Sequence, residues 1–311
     1  MTDANAGGKN IRLNYIYEGD ALEVLKTFPD ECIDMVITSP PYWGLRDYGI
    51  DGQIGLEDTI EEHIKTLVEI FDECKRVLKR QGTLWVNYGD KYVNKSMQLV
   101  PERLAIALVD SGWILRNKII WHKRDIVPQT VRDRFTHDWE YVYFFVKSPK
   151  DYYFEQQFES ALSDPHSTKK FKPRDKYKGL DKVGEVAFAG LHEYFKKNGM
   201  YMPTKRNRRS VWSIASQSVS EAHFATFPFA LISTPIRASC PKGGVVLDLF
   251  MGSGTTAIVA RALGRNYVGI ELNPEYIKIA EKRLTEWPPE RVIEKLNNNS
   301  DTMITTCRSV I

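Results

Sequence analysis

Short apolar runs separated by amphipathic stretches fill the chain on either side of a long polar middle. Ile33–Thr38 (IDMVIT) is a continuous apolar run of strand length, ended by Ser-Pro-Pro. Ile60, Ile64, Leu67, Phe71, Cys74 and Leu78 recur at steps of three and four, which predicts a helix closed near Gly82. Thr83–Gly89, Trp113–Trp121 and Glu140–Val146 read as further strands, with a helix between Pro101 and Gly112. Beyond the polar middle, Gly244–Phe250 is a strand and Thr255–Leu263 a helix. The run NYVGIEL is a strand, and Asn273-Pro274 caps a helix running to Trp287. This alternation predicts an α/β sheet. No periodicity continues from Asn297, and residues 291–311 are expected to form a flexible tail.

Composition narrows the class. With 42% hydrophobic and 12% aromatic residues in 311, disorder is excluded as the main theme. No stretch approaches the ~20 apolar residues that span a bilayer, so no membrane partner is expected, and MTDANAGGKN is not a secretory signal. Cys32, Cys74, Cys240 and Cys307 lie far apart with no CxxC pair, so neither a metal site nor a disulfide framework is expected, and a cytoplasmic location fits. The net charge of +3 is unevenly spread. Ser160–Ser210 holds thirteen Lys/Arg against five acids, a local +8 that leaves the rest at −5. Such a stretch, interleaved with Phe171, Tyr177, Phe188, Tyr194, Phe195 and Tyr201, fits a folded insert that binds a polyanion.

Two motifs carry chemistry. In VLDLFMGSGTTAIVA, Gly252 and Gly254 fall in a turn between strand and helix, where glycine permits positive φ and close approach of a ligand. Glu271 ends the following strand, where a carboxylate can accept both hydroxyls of a ribose. Thr255-Thr256 after GSG departs from GxGxxG and disfavours a nicotinamide cofactor. The second motif, Thr38-Ser39-Pro40-Pro41-Tyr42-Trp43, lies at the carboxyl end of a strand. Ligands of open α/β sheets bind beyond those ends, so both motifs can converge on one crevice.

Together these segments resemble the S-adenosylmethionine-dependent DNA amino-methyltransferases, in the permuted order that places the catalytic motif before the cofactor loop. The family motif (Asp/Asn/Ser)-Pro-Pro-(Tyr/Phe/Trp) is similar to Ser39-Pro40-Pro41-Tyr42, and the cofactor loop to Leu247–Thr256. EGDALEVL, HFATFP (His223–Pro228), RRSVWSI and IIWHK resemble further family segments. The resemblance covers residues 12–287, except the basic insert. It implies a Rossmann-like methyltransferase sheet with helices on both faces. Residues 11–150 would be its catalytic half and 211–290 its cofactor half, and 151–210 an inserted target-recognition region. It implies S-adenosyl-L-methionine as cofactor, bound by Asp20, Thr38, His223, Phe224, Thr226, Phe227, Pro228, Asp248, Phe250, Gly252, Ser253, Gly254, Thr255, Thr256, Glu271 and Asn273. Lys169, Lys170, Lys172, Arg174, Lys205, Arg206, Arg208 and Arg209 would contact DNA.

The resemblance also sets the chemistry. An exocyclic base amine is a poor nucleophile because its lone pair is delocalised into the ring. The Ser39 hydroxyl and Pro40 carbonyl would accept its hydrogens, and Tyr42 would stack on the extruded base. Trp43 reads equally as a wall of that pocket or as core, and His122 and His137 receive no catalytic role. Carbon-5 cytosine methylation needs a Pro-Cys thiolate, and the chain has only the reverse Cys240-Pro241, so the acceptor should be nitrogen. Serine in the first motif position points to cytosine-N4, with adenine-N6 as the alternative. An RNA or protein-amide methyltransferase and an inactive DNA-binding module are the more distant readings. The basic insert favours double-stranded DNA, while the family resemblance implies a monomer or homodimer and a cognate restriction endonuclease that acts on the same DNA without forming a stable complex.

Overall fold

In a computed structural model, the described residues are 10–47, 49–126, 130–160, 205–218 and 225–298, with only the backbone of 160, 205, 218, 225 and 226. They divide into two compact units: residues up to Gln156 with those from Ser210 onward, and residues 157–160 with 205–209.

The first unit is built on an eight-stranded sheet. Its strands in chain order are β1 (Tyr15–Glu18), β2 (Ile33–Thr38), β3 (Leu78–Tyr88), β4 (Ile114–His122), β5 (Trp139–Val146), β6 (Val211–Ser213), β7 (Val245–Asp248) and β8 (Asn266–Glu271). Their spatial order is β1-β8-β7-β2-β3-β5-β4-β6. All neighbours are parallel except β5, which runs antiparallel to both β3 and β4. The helices are α1 (Ala21–Lys26), α2 (Ile60–Val77), α3 (Val100–Asp110), α4 (Phe229–Ser239), α5 (Thr255–Ala262), α6 (Pro274–Glu286) and α7 (Pro289–Asn298).

Alternation along the central strands sends apolar side chains to both faces. Val36, Leu84, Val86 and Leu247 join α1, α2 and α3 in one core, while Met35, Ile37, Trp85 and Val246 join α4 to α7 in the other. This is the Rossmann-like sheet with helices on both faces that the resemblance implied.

Two boundaries differ from the sequence reading. Helix α2 opens at a Thr59–Glu62 capping box but does not run to Gly82. Leu78 turns extended and pairs with Ile33, because burying its side chain in the sheet core outweighs another helical turn. The expected tail is corrected for residues 291–298, which belong to α7. Val292 and Leu296, four residues apart, are buried there against α4 and α5. Only three apolar positions, Val292, Ile293 and Leu296, stand in this charged segment, too few to register as periodicity.

Candidate active site

The two motifs meet through a hydrogen bond between residues 210 positions apart. Thr38 Oγ1, at the end of β2, donates to Asp248 Oδ1, at the end of β7, at 2.7 Å. Asp248 is buried and also accepts from Phe250 N at 3.1 Å and Thr256 Oγ1 at 2.5 Å. Burial pushes its carboxyl above the usual range, and these three donors only partly oppose the shift. Thr38 itself is 0% exposed and does not line the cleft. The expected cofactor contact at Thr38 is therefore corrected, because its hydroxyl is spent on joining the two halves.

Above this junction lies a cleft of about 440 Å³. Its first half is walled by Asp20, Phe250, Gly252, Ser253, Glu271 and Asn273, with Asp248, Thr255, Thr256 and Phe227 behind them. Glu271 accepts from Gly252 N at 2.7 Å and from Asn273 N at 2.9 Å, one bond on each oxygen. Each oxygen keeps a lone pair for a further donor, so the carboxylate fits the paired hydroxyls of a ribose. Burial pushes the Glu271 carboxyl up, against those two amides. Asp20 caps α1 by accepting from Glu23 N at 3.0 Å, and Asn273 caps α6 by accepting from Glu275 N at 2.9 Å.

The two glycines do different work. Gly252 has φ +52, and a Cβ there would meet only Phe250 O, at 3.9 Å, so the backbone stays accessible to a ligand. Gly254 has φ +79, and a Cβ there would lie 2.7 Å from Ala280 Cβ, so it serves helix packing and does not face the cleft. Buried Arg283, which the sequence reading missed, reaches from α6 to Ser253 Oγ at 2.6 Å and Thr255 Oγ1 at 3.2 Å and braces the turn. Pro228 precedes α4 and does not line the cleft, Thr226 is described by backbone alone, and His223 and Phe224 lie outside the described residues.

The second half of the cleft is walled by Ser39, Pro40, Pro41 and Tyr42, and by three residues that sequence reasoning missed, Asn87, Lys123 and Glu140. Tyr42 donates to Glu140 Oε2 at 2.9 Å, and Ser39 Oγ lies 3.4 Å from the Tyr42 hydroxyl. Asn87 Nδ2 donates to the same Glu140 oxygen at 3.1 Å, and Lys123 pairs with the other. Burial and the nearby Glu140 push the Tyr42 hydroxyl well above its usual pKa, so it remains a donor.

Behind the turn, the Tyr88 ring lies 4.6 Å from that of Tyr42, and its hydroxyl accepts from Trp43 N at 3.1 Å. His63, 0% exposed on α2, contacts Tyr88 Oη at 2.7 Å and Glu57 Oε2 at 2.8 Å. Trp43 takes the core reading: its indole donates to Glu57 O and is absent from the cleft wall. His122 and His137 are likewise off the wall, bonded to Ser213 and packed on Trp139.

In the second unit, Phe158–Ser160 pairs antiparallel with Lys205–Asn207. Arg206 and Arg209 both donate to Glu159 Oε1, at 2.8 and 2.9 Å, so part of their charge is already balanced. Burial raises the Glu159 carboxyl, but the arginine hydrogen bonds outweigh it and hold it below the usual range. Arg208 donates its backbone N–H to Gln157 O. Lys205 is described by backbone alone, and Lys169, Lys170, Lys172 and Arg174 lie outside the described residues.

Comparisons with known proteins identify the family. Residues 33–282 match the model of the N6/N4 family, described as DNA methylase. The chain is 39% identical to the type II methyltransferase M.Cfr9I of Citrobacter freundii over 86% of this chain and 87% of that one. It is 38% identical to M.SmaI of Serratia marcescens, over 88% and 92%. Among solved structures it is similar to TTHA0409 of Thermus thermophilus complexed with S-adenosyl-L-methionine, at TM-score 0.56 and 25% identity, over 87% of this chain and 94% of that one. The fold also matches the PvuII DNA methyltransferase, cytosine-N4-specific, at TM-score 0.56 and 22% identity, over 90% and 92%. With a family model that matches residues 33–282 and relatives 38–39% identical over most of both chains, the chain belongs to the N6/N4 DNA methylase family of S-adenosylmethionine-dependent amino-methyltransferases.

Proposed function

We propose that the protein methylates the exocyclic N4 of cytosine at a specific site in duplex DNA, on a base flipped out of the helix, as the modification enzyme of a restriction system. The observation that carries this reading is the Thr38–Asp248 bond, which seats Ser39-Pro40-Pro41-Tyr42 and Glu271 on one cleft. Glu271 and the Gly252 turn would hold the ribose, and Asp20 and Phe250 the rest of the nucleoside, on the first half of the cleft. When bound there, S-adenosylmethionine supplies a methyl group on an electron-poor sulfonium. On the second half, Ser39 Oγ and the Pro40 carbonyl accept the two hydrogens of the target amine. These fixed dipoles favour the positive charge that grows on nitrogen. Tyr42 offers its free face to the base, a stack of ~1–3 kcal/mol that offsets part of the few kcal/mol needed for extrusion. The names of the type II relatives support a partner endonuclease.

Serine in the first motif position supports cytosine over adenine. Mass spectrometry of nucleosides, after incubation of duplex DNA with the protein and isotope-labelled S-adenosylmethionine, tests the reading, and sequencing of the modified positions maps the site. N4-methylcytosine is the expected product. N6-methyladenine would move the target to adenine, and label in RNA or protein alone would overturn the duplex-DNA reading.

A further inference from the structure

The amine that takes the methyl group must also lose a proton, and the second half of the cleft contains a path for it. A serine hydroxyl is both donor and acceptor, so nothing in Ser39 alone makes it accept from the substrate. Its surroundings do. Ser39 Oγ lies 3.4 Å from the Tyr42 hydroxyl, which donates to Glu140 Oε2 at 2.9 Å. Glu140 as a carboxylate is acceptor-only, so it fixes the direction of the chain: the Tyr42 hydrogen points to Glu140, and the Ser39 hydrogen points to Tyr42. A lone pair of Ser39 is left facing the cleft. Asn87 Nδ2 and Lys123 supply the other bonds to Glu140, and the Lys123 ammonium balances its charge. Glu140 is 14% exposed and Lys123 22%, so the carboxylate end of the chain borders solvent.

We infer that Ser39, Tyr42 and Glu140 form a proton relay in which Glu140, reached through the Tyr42 hydroxyl, polarises Ser39 as an acceptor and receives the proton displaced from the methylated amine. The inference rests on the proposed nucleobase substrate and holds for either base amine. As nitrogen bonds to the methyl carbon, the carbon–sulfur pair stays on sulfur. One N–H proton then passes to Ser39 Oγ, the Ser39 proton to Tyr42, and the Tyr42 proton to Glu140. Glu140 ends as a neutral acid beside Lys123 and returns its proton to water. The shift is concerted, because the Tyr42 pKa lies too far above its usual value for a phenolate to form. The 3.4 Å link is the long one, and catalytic hydrogen bonds commonly tighten when substrate binds.

The test uses Glu140→Gln and Tyr42→Phe, each in the natural background and in Ser39→Asp, on duplex DNA bearing the mapped site. A carboxylate at position 39 accepts from the amine without help. In the natural background each substitution is expected to lower kcat by about 10²-fold, the scale of general-base catalysis. Affinity for S-adenosylmethionine, read by calorimetry, should stay within about twofold. In the Ser39→Asp background the same substitutions should cost less than about threefold. Equal losses in both backgrounds would mean that Glu140 only props Tyr42, and would overturn the relay. If Ser39→Asp is itself inactive, the solvent deuterium isotope effect on kcat decides: it should shrink in Glu140→Gln, and its persistence would overturn the relay. His137 and Lys123 also face Glu140, so His137→Gln, outside the chain of hydrogen bonds, serves as the control that keeps the isotope effect. An inactive natural protein on duplex DNA would defeat the proposed function, whereas an active one with unaffected variants defeats the relay alone.

Discussion

Replacing Thr38 by valine removes one hydroxyl and little volume, and it cuts the bond that joins the two motifs. Asp248 would keep Phe250 N on Oδ1 and Thr256 Oγ1 on Oδ2, losing one of three donors to a buried carboxylate. A hydrogen bond to a charged group contributes about 1.5–3 kcal/mol, so a loss of about 2 kcal/mol is expected. At roughly 2–4 °C per kcal/mol for a chain of this size, the melting temperature should fall by roughly 4–8 °C. Urea unfolding at several pH values gives the sharper reading. Because burial holds the Asp248 pKa above its unfolded value, the folded chain retains a proton that the unfolded chain releases, and stability falls as pH rises through that pKa. Losing the Thr38 donor raises the pKa further. The Thr38→Val deficit should therefore be largest near neutrality and shrink on the acid side, where Asp248 is protonated in both proteins. In an Asp248→Asn background, with no charge to stabilise, Thr38→Val should cost about 1 kcal/mol or less. A deficit below about 0.5 kcal/mol, or one independent of pH and of Asp248, would refute the view that this bond welds the halves.

Glu271→Gln should weaken S-adenosylmethionine binding at least about tenfold. Since burial raises the Glu271 pKa and ribose hydroxyls favour its charged form, natural affinity should rise with pH through that pKa, with proton release visible by calorimetry in two buffers. Gly254→Ala should destabilise by more than about 2 kcal/mol, from left-handed strain plus the Ala280 clash, whereas Gly252→Ala makes no clash and should cost about 1 kcal/mol in thermal melts. Tyr88→Phe strips the partner from buried His63 Nε2 and from Trp43 N, an expected loss of about 1–3 kcal/mol in urea unfolding. Neutralising Arg206, Arg208 and Arg209 together should flatten the salt dependence of DNA binding by less than three phosphate contacts' worth, because Glu159 already shares two of them, and an unchanged slope would place them away from phosphate.

What was legible in the chain was whatever depends on local order. Ile33–Thr38 and the Thr255 helix read correctly because a buried strand and a glycine turn leave contiguous signals. Glu271 and Gly252 were legible as cleft residues for the same reason, lying at fixed steps from their strands. Thr38 was misassigned because a residue one step before a catalytic motif reads the same whether it faces a ligand or a neighbouring strand. Its alternation with buried Val36 offered the only clue. Arg283 sits in an amphipathic helix among other charges, and nothing in its spacing separates a buried arginine from an exposed one. His63 likewise looks like any polar residue of an amphipathic helix until Tyr88 is found opposite it.

Glu140 escaped for a topological reason. In a parallel sheet only the carboxyl ends of strands reach the crevice, so a reader searching for site residues looks there, at Ser39, Asp248 and Glu271. β5 runs the other way, and its first residues therefore arrive at the edge where β2, β3 and β4 end. That reversal brings Glu140 beside Tyr42 from after β2, Asn87 from β3 and Lys123 from just past β4. A parallel strand in the same place would deliver Val146 to the cleft and leave the Tyr42 hydroxyl without the Glu140 carboxylate that accepts from it. The proposed relay makes the antiparallel strand the feature that lets serine stand where other motif variants carry a carboxylate, and Ser39→Asp is the direct way to expose that dependence.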